Sequence, residues 1–340
     1  MHKRIPYMNI LVTGGAWFIG SHLAKALIAE WHMVVVADDL SWGFERNIPD
    51  EALFERVDLS EKKDVELLFK KYEFDAVYHL AAYAAEWLSF FIPEFNYKNN
   101  LLASVHIITE CVKSKVKRII FTSSMAVYGN QEVPYTEQMT PHPEDPYGVA
   151  KYAVELHLEA MHKVHGLEYV IFRPQNVYGR NQHIGDSYRN VIGIFINQAM
   201  KGIPLTIFWD GEQKRAFSHI STIIPYFVAA LTNTDCVWHV FNIGWEKPYT
   251  INELAAGIVG EFGMATIVNE PPRHEVKFAY ASPRKAKIFF KEVSYNTVEL
   301  REGLHDMVEW AQEIWPQEPT KFDGVEIKEN MPPKWETLLT

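Results

Sequence analysis

Asn9-Ile10-Leu11-Val12-Thr13-Gly14-Gly15-Ala16-Trp17-Phe18-Ile19-Gly20-Ser21-His22-Leu23 is the stretch on which the fold turns. Ile10 to Val12 form a short apolar run with a β-branched bias, and Leu23, Ala26 and Leu27 recur at spacings of three and four. The stretch therefore reads as strand, Gly-rich turn and helix. Such a turn aims backbone N–H groups and a positive helix N-terminus at a pyrophosphate. Gly14 opens a G-x-x-G-x-x-G spacing and Gly20 closes it, with Trp17 in the middle glycine's place.

Working outward, Met33 to Ala37 is a second strand that ends at Asp38-Asp39. Asp38 stands near the distance from Gly14, about 20 residues, at which a dinucleotide fold puts an acid on the adenosine ribose. An acid there repels a 2′-phosphate and favours NAD over NADP. Ala76 to Ala82, Arg118 to Ser124 and Glu168 to Arg173 are further strands. Between them lie helical segments: Glu61 to Lys71 with Ser60 as its cap, and Leu101 to Val112. Strands alternating with helices predict a parallel, doubly wound α/β sheet whose ligand sits beyond the carboxyl ends of the strands. Asp38, Ala81 and Ser123-Ser124 all lie at such ends.

Asp145-Pro146-Tyr147-Gly148-Val149-Ala150-Lys151 opens another helix, with Asp145 as cap and Pro146 at the first helical position. Tyr147 and Lys151 are four apart and share a face. An ammonium beside a phenol is expected to lower the phenol's pKa from about 10, making it a usable proton acceptor. Farther on, Val191 to Met200 reads as an apolar helix, Thr206 to Phe208 as a short strand, and Val237 to Ile243 as a strand returning to the first sheet. Thr250-Ile251-Asn252-Glu253 is a capping box for a helix to Phe262. The expected organisation is a dinucleotide-binding domain over residues 1–178 with a returning segment near 218–247. A smaller, partly interleaved α/β substrate region covers 179–217 and 248–320, and 321–340 is an irregular tail.

A net charge of −10 over 340 residues gives no sign of nucleic-acid or membrane-surface binding, both of which want basic patches. No run approaches the ~20 apolar residues of a membrane span. Two cysteines, Cys111 and Cys236, exclude a disulfide framework and fit a reducing, cytoplasmic setting. His157, His162 and His165 share a helix, but 157 to 162 is a spacing of five and not a same-face ligand pair; the three read as surface or interface histidines, so no metal is expected.

The chain resembles the extended short-chain dehydrogenase/reductase superfamily, in its NAD-dependent nucleotide-sugar epimerase/dehydratase branch. The likeness rests on Thr13 to Leu23, His79-Leu80-Ala81-Ala82, Ser123-Ser124 with Val127-Tyr128-Gly129, Tyr147 to Lys151, and Arg173-Pro174-Gln175-Asn176-Val177-Tyr178-Gly179. The resemblance implies a Rossmann-like fold, an NAD cofactor and a nucleoside-diphosphate sugar substrate. It implies Tyr147 as base, Lys151 as its partner and Ser124 as the hydroxyl on the reacting sugar oxygen. Cofactor contacts would come from Gly14, Phe18, Ile19, Gly20, Asp38, Asp39, Asp58, Leu59, Leu80, Ala81, Ala82, Asn100 and Ser123, with Tyr147 and Lys151. Asn176, Arg215 and Arg273 would hold the nucleotide diphosphate. It also implies a homodimer through the helices at 101–112 and 151–164.

Met125-Ala126 occupies the place of an Asp-Glu pair that drives water elimination in the 4,6-dehydratases of this branch. That favours epimerisation at C4 through a 4-keto sugar. Epimerisation at another carbon or uronic-acid decarboxylation, with Glu86 as the extra acid/base, is the alternative. A non-catalytic NAD- or nucleotide-sugar-binding protein is a third reading, motivated by Trp17, whose indole either turns outward or fills phosphate space. Trp42, Trp87 and Trp209 likewise stand where related sequences carry glycine, Ser221-Thr222 replace an acidic pair, and Ala281-Ser282 replace a Ser-Asp.

Overall fold

The computed structural model describes residues 7–263, 265–272, 275–293, 298–318, 320 and 322–332. The chain runs through β1 (Asn9–Thr13), α1 (Phe18–Ala29), β2 (Met33–Asp38), β3 (Leu53–Arg56), α2 (Lys62–Lys71), β4 (Ala76–His79), α3 (Pro93–Tyr97), α4 (Ala103–Lys113) and β5 (Arg118–Thr122). It continues through α5 (Pro146–His165), β6 (Glu168–Pro174), β7 (Val177–Tyr178), α6 (Val191–Met200), β8 (Leu205–Phe208), β9 (Lys214–Ala216), β10 (Ser218–His219) and α7 (Ile220–Ala230). The remainder is β11 (His239–Ile243), β12 (Pro248–Thr250), α8 (Ile251–Phe262), β13 (Ile267–Glu270), β14 (Phe278–Ala279), α9 (Arg284–Phe289) and α10 (Leu300–Ile314).

Seven strands form one sheet in the order β11-β6-β5-β4-β1-β2-β3, and every neighbouring pair is parallel. Helices cover both faces, which is why β1 and β2 read as apolar runs without alternation. Ile10 and Val12 point into the layer under α1 and α7, while Leu11 points into the layer under α2, α4 and α5. All three are fully buried. Strand order reverses between β1 and β4, and a parallel sheet opens its ligand crevice at such a point. Gly14 and Ala81 face each other there. A Cβ on Gly14, whose φ is +71°, would lie 2.7 Å from the Ala81 nitrogen.

Residues beyond β6 build a second apolar centre, with Ile192, Phe195, Leu205, Leu254, Leu304 and Met307 buried between α6, α8, α10 and β8. The capping box at Thr250 is present: its hydroxyl accepts from the Glu253 nitrogen at 3.0 Å, and the Glu253 carboxylate accepts from the Thr250 nitrogen at 2.7 Å. β11 returns to the sheet beside β6, as the Val237 to Ile243 run predicts. Two local expectations change. Glu61, not Ser60, is the N-cap of α2, because the Ser60 hydroxyl and N–H both donate to Asp58. The helix expected from Leu101 begins at Ala103, after a π-helical turn over Lys98–Leu102.

Among its described residues, the segment after α10 has no helix or strand, yet it is packed. Gln317 exchanges hydrogen bonds with the Asn197 side chain at 2.9 Å each way, and Thr320 donates to the Gly185 carbonyl at 2.9 Å. Phe322 then lies against Trp42, Tyr83 and Phe95, with ring centroids 6.0, 5.5 and 5.0 Å away. The Glu326 carboxylate accepts from the Glu94 and Phe95 nitrogens at 2.8 Å, capping the start of α3. The segment thus straps the second apolar centre to the rim of the crevice.

Candidate functional site

Two adjoining cavities open at the carboxyl ends of the sheet strands. The smaller, about 80 Å³, is lined by Gly14, Asp38, Asp39, Asp58, Leu59, Leu80, Ala81 and Ala82 among others. The larger, about 420 Å³, is lined by Phe18, Ile19, Gly20, Ser123, Ser124, Tyr147, Lys151, Asn176 and Arg215 among others. Gly14, Trp17, Leu80 and Ala82 line both, so the cavities meet at the Gly-rich turn. Gly20 is required there: a Cβ on it would lie 2.2 Å from the Gly14 carbonyl oxygen. This turn, the strand-end acid and the two-lobed crevice fit a dinucleotide.

Asp38 accepts from the backbone nitrogens of Ala16 at 3.1 Å and Leu40 at 2.9 Å. Burial raises its pKa, and those two N–H groups oppose the rise. Asn100 differs from expectation. Its side chain accepts from the Tyr83 nitrogen at 2.7 Å and donates to the Tyr83 carbonyl at 3.1 Å and to Asn96 at 2.8 Å. It pins the backbone leaving β4 and does not line either cavity. Arg273 lies outside the described residues.

α5 starts where the sequence places it: Pro146 is its first residue and the Asp145 carboxylate accepts from the Gly148 nitrogen at 2.8 Å. Tyr147 and Lys151 are both buried on the crevice side. The Lys151 ammonium donates to the Thr122 carbonyl at 2.9 Å and sits 4.8 Å from the Phe121 ring centroid and 5.8 Å from that of Tyr147. Burial pushes Lys151 down to about 7, against the pull of Glu155. The expected depression of the Tyr147 phenol is absent. Burial, then the Glu86 carboxylate, raise its pKa, while a hydrogen bond from Ser124 lowers it. The reason is that both partners are desolvated, and each is driven toward its neutral form.

Two further groups lie under the site, and of these Glu155 stands in none of the motifs that carry the resemblance. His79 bridges Thr13 and Ser104, 2.8 Å on either side, and burial lowers it to about 3, so it stays neutral while tying β1 to α4. Glu155, one turn beyond Lys151, pairs with Arg173 and accepts from Ser123. Arg173 also donates to the Tyr128 hydroxyl at 2.8 Å. This buried network fixes the ends of β5 and β6, from which Ser123, Ser124 and Asn176 enter the site.

In the larger cavity, Asn176 donates to the Ala216 carbonyl at 3.3 Å. Arg215 donates to the Val276 carbonyl at 2.6 Å and lies 3.7 Å from Glu275. Met125 and Ala126 line the same lobe, so no carboxylate stands at those positions. Glu86 does line it. Trp17 is in extended conformation at the N-cap of α1, and its indole does not turn outward; it walls both cavities, edge-on to His183 at 5.9 Å. The Arg189 guanidinium lies over the Trp17 ring at 4.7 Å, a neighbour with no signal in the sequence.

The NAD dependent epimerase/dehydratase family description matches residues 10–244. A putative UDP-glucose 4-epimerase of Methanocaldococcus jannaschii is 33% identical over 308 residues, covering 89% of this chain and 98% of that protein. The UDP-glucuronic acid decarboxylase 1 of Xenopus tropicalis is 31% identical, over 89% of this chain and 72% of that one. Among solved structures, the UDP-glucose 4-epimerase of Thermus thermophilus, in complex with NAD, superposes with a TM-score of 0.84 at 28% identity, covering 90% of this chain and 99% of that chain.

Proposed function

The chain belongs to the NAD-dependent epimerase/dehydratase family, and from that premise we propose that it inverts C4 of a nucleoside-diphosphate sugar through a 4-keto intermediate. The observation that carries this reading is the convergence of Ser124, Tyr147 and Lys151 in one lobe with Asn176 and Arg215, where Met125-Ala126 offers no acid to expel a hydroxyl. Gly14, Asp38, Asp58 and the Leu80 to Ala82 segment would hold the cofactor. Bound NAD supplies a reversible two-electron acceptor and a positive charge.

The protein supplies the rest. Tyr147 accepts the proton of the sugar 4-hydroxyl and returns it after the ring turns over. Ser124, which lines the same lobe as the phenol, holds the reacting oxygen in line. Lys151, anchored on the Thr122 carbonyl, holds its amine 5.8 Å from the Tyr147 ring as a donor within the pocket. Arg215 and Asn176 grip the diphosphate, the arginine with a fork that matches phosphate oxygens. Val149 and Leu156, both exposed on α5, and Leu102 beside α4 supply apolar surface for a homodimer.

Glu86 supports a second reading, a reaction at another carbon or loss of the carboxylate of a uronic acid sugar, because its charge reaches Tyr147. The test is to incubate the purified protein with NAD and a panel of UDP-, dTDP- and GDP-hexoses and hexuronic acids, reading products by proton NMR. A C4 epimer of unchanged mass is expected, with Tyr147→Phe slowed by about 10²–10⁴-fold while still binding NAD. A product lighter by water or carbon dioxide, or full turnover by the variant, would overturn the assignment.

A further inference from the structure

Arg189 reaches the crevice from the loop between β7 and α6 and ends where the two cavities meet. Its guanidinium carbon lies 4.7 Å from the Trp17 ring centroid, 5.1 Å from that of Trp42 and 4.5 Å from that of Tyr83. All three rings wall the smaller cavity, and Arg189 itself walls the larger. Phe322 closes the box from behind, stacked on Trp42. Three π faces around one guanidinium form a cation seat.

The loop is built to aim the side chain. The Asp186 carboxylate, itself buried, accepts from the backbone nitrogens of Tyr188 at 2.8 Å and Arg189 at 3.2 Å and from the Arg189 Nε. Arg189 Nη2 forms an ion pair with the same carboxylate. The guanidinium so held stands at the passage from the lobe of Asp38 to the lobe of Tyr147. A dinucleotide spanning those two lobes carries its pyrophosphate through this junction.

Trp17 explains why a cation is needed. The middle glycine of such a turn exists so that backbone can approach the pyrophosphate closely. An indole in that place keeps the backbone away, and Trp42 adds a second ring on the same side. We propose that Arg189 is the pyrophosphate-binding residue of this chain, its side-chain charge replacing the backbone approach that Trp17 prevents. The aromatic box holds the guanidinium in place before the cofactor arrives. The inference concerns cofactor binding alone and stands apart from which carbon of the sugar reacts.

The test compares adenosine, ADP and NAD binding to cofactor-free protein by calorimetry, with no sugar nucleotide present. In the wild type ADP binds tighter than adenosine. Arg189→Ala is expected to leave adenosine affinity within twofold, to erase the ADP advantage and to weaken NAD at least tenfold. Retained adenosine binding reports that the fold and the Asp38 lobe are intact. If Arg189→Ala does not fold, Arg189→Gln, of similar length and uncharged, is read in the same way. An unchanged gap between ADP and adenosine would overturn the proposal. Tighter NAD binding would overturn it too and make Arg189 an obstruction in the channel.

Discussion

Replacing Lys151 by methionine should stabilise the cofactor-free protein, and by an amount that depends on pH. The Lys151 ammonium is buried among Phe121, Tyr147 and Thr122, and its pKa falls from 10.5 to about 7. Below pH 7 both folded and unfolded chains hold the proton, and the folded chain holds it at full cost. Between about 7 and 10.5 the unfolded chain keeps the proton and the folded one does not, so stability rises with pH across that window. Each pH step there is worth about 1.4 kcal/mol. The penalty is about 5 kcal/mol at low pH and shrinks by about 2 kcal/mol between pH 7 and pH 9. Methionine fills similar volume and carries no proton. It leaves the Thr122 carbonyl without its donor, a loss of about 1 kcal/mol that does not vary with pH. Urea unfolding of both proteins at pH 7, 8 and 9 measures the effect. The variant's advantage should decline steadily over that range. An advantage that is constant, or that grows with pH, would mean that burial does not penalise the ammonium.

Glu155→Gln leaves Arg173 buried without its partner's charge and should lower stability by about 3–5 kcal/mol, read as a fall in Tm; an unchanged Tm would mean that the pair contributes nothing. The same change removes the Glu155 charge that holds the Lys151 pKa up, so the pH window described above should begin lower. Phe322→Ala empties a buried ring from the box behind Trp42 and should cost about 3 kcal/mol. It should also speed NAD release in a chase with excess unlabelled cofactor; an unaltered release rate would separate the strap from the cofactor.

The doubly wound sheet was legible because both faces are covered, which writes β1, β2, β4 and β5 as plain apolar runs. β3 was not, because Leu53–Arg56 is an edge strand whose residues are only half-buried or exposed. The Gly-rich turn, Asp38 and the Tyr147–Lys151 face were legible because each depends on short-range spacing. The electrostatics of that face were not, since the burial of Tyr147 and Lys151 and the Glu86 charge beside Tyr147 come from parts of the chain distant in sequence. Trp17 could be flagged but not oriented, as its direction depends on Arg189, far away in sequence. The tail after Trp315 gives no periodicity: Phe322 and Met331 are isolated anchors in a polar segment, and only the folded rim of the crevice gives them a surface to meet.

That strap has a kinetic consequence. The amide nitrogens of Glu326 and Ile327 donate to the Phe91 carbonyl at 2.8 and 3.1 Å, and Phe322 backs Trp42 and Tyr83, two walls of the smaller cavity. Turnover of cofactor molecules at this protein should therefore follow local unfolding of the segment and not simple diffusion. Its rate would climb several-fold for each 10 °C, as unfolding rates do. Hydrogen–deuterium exchange at those two amides would keep the same pace.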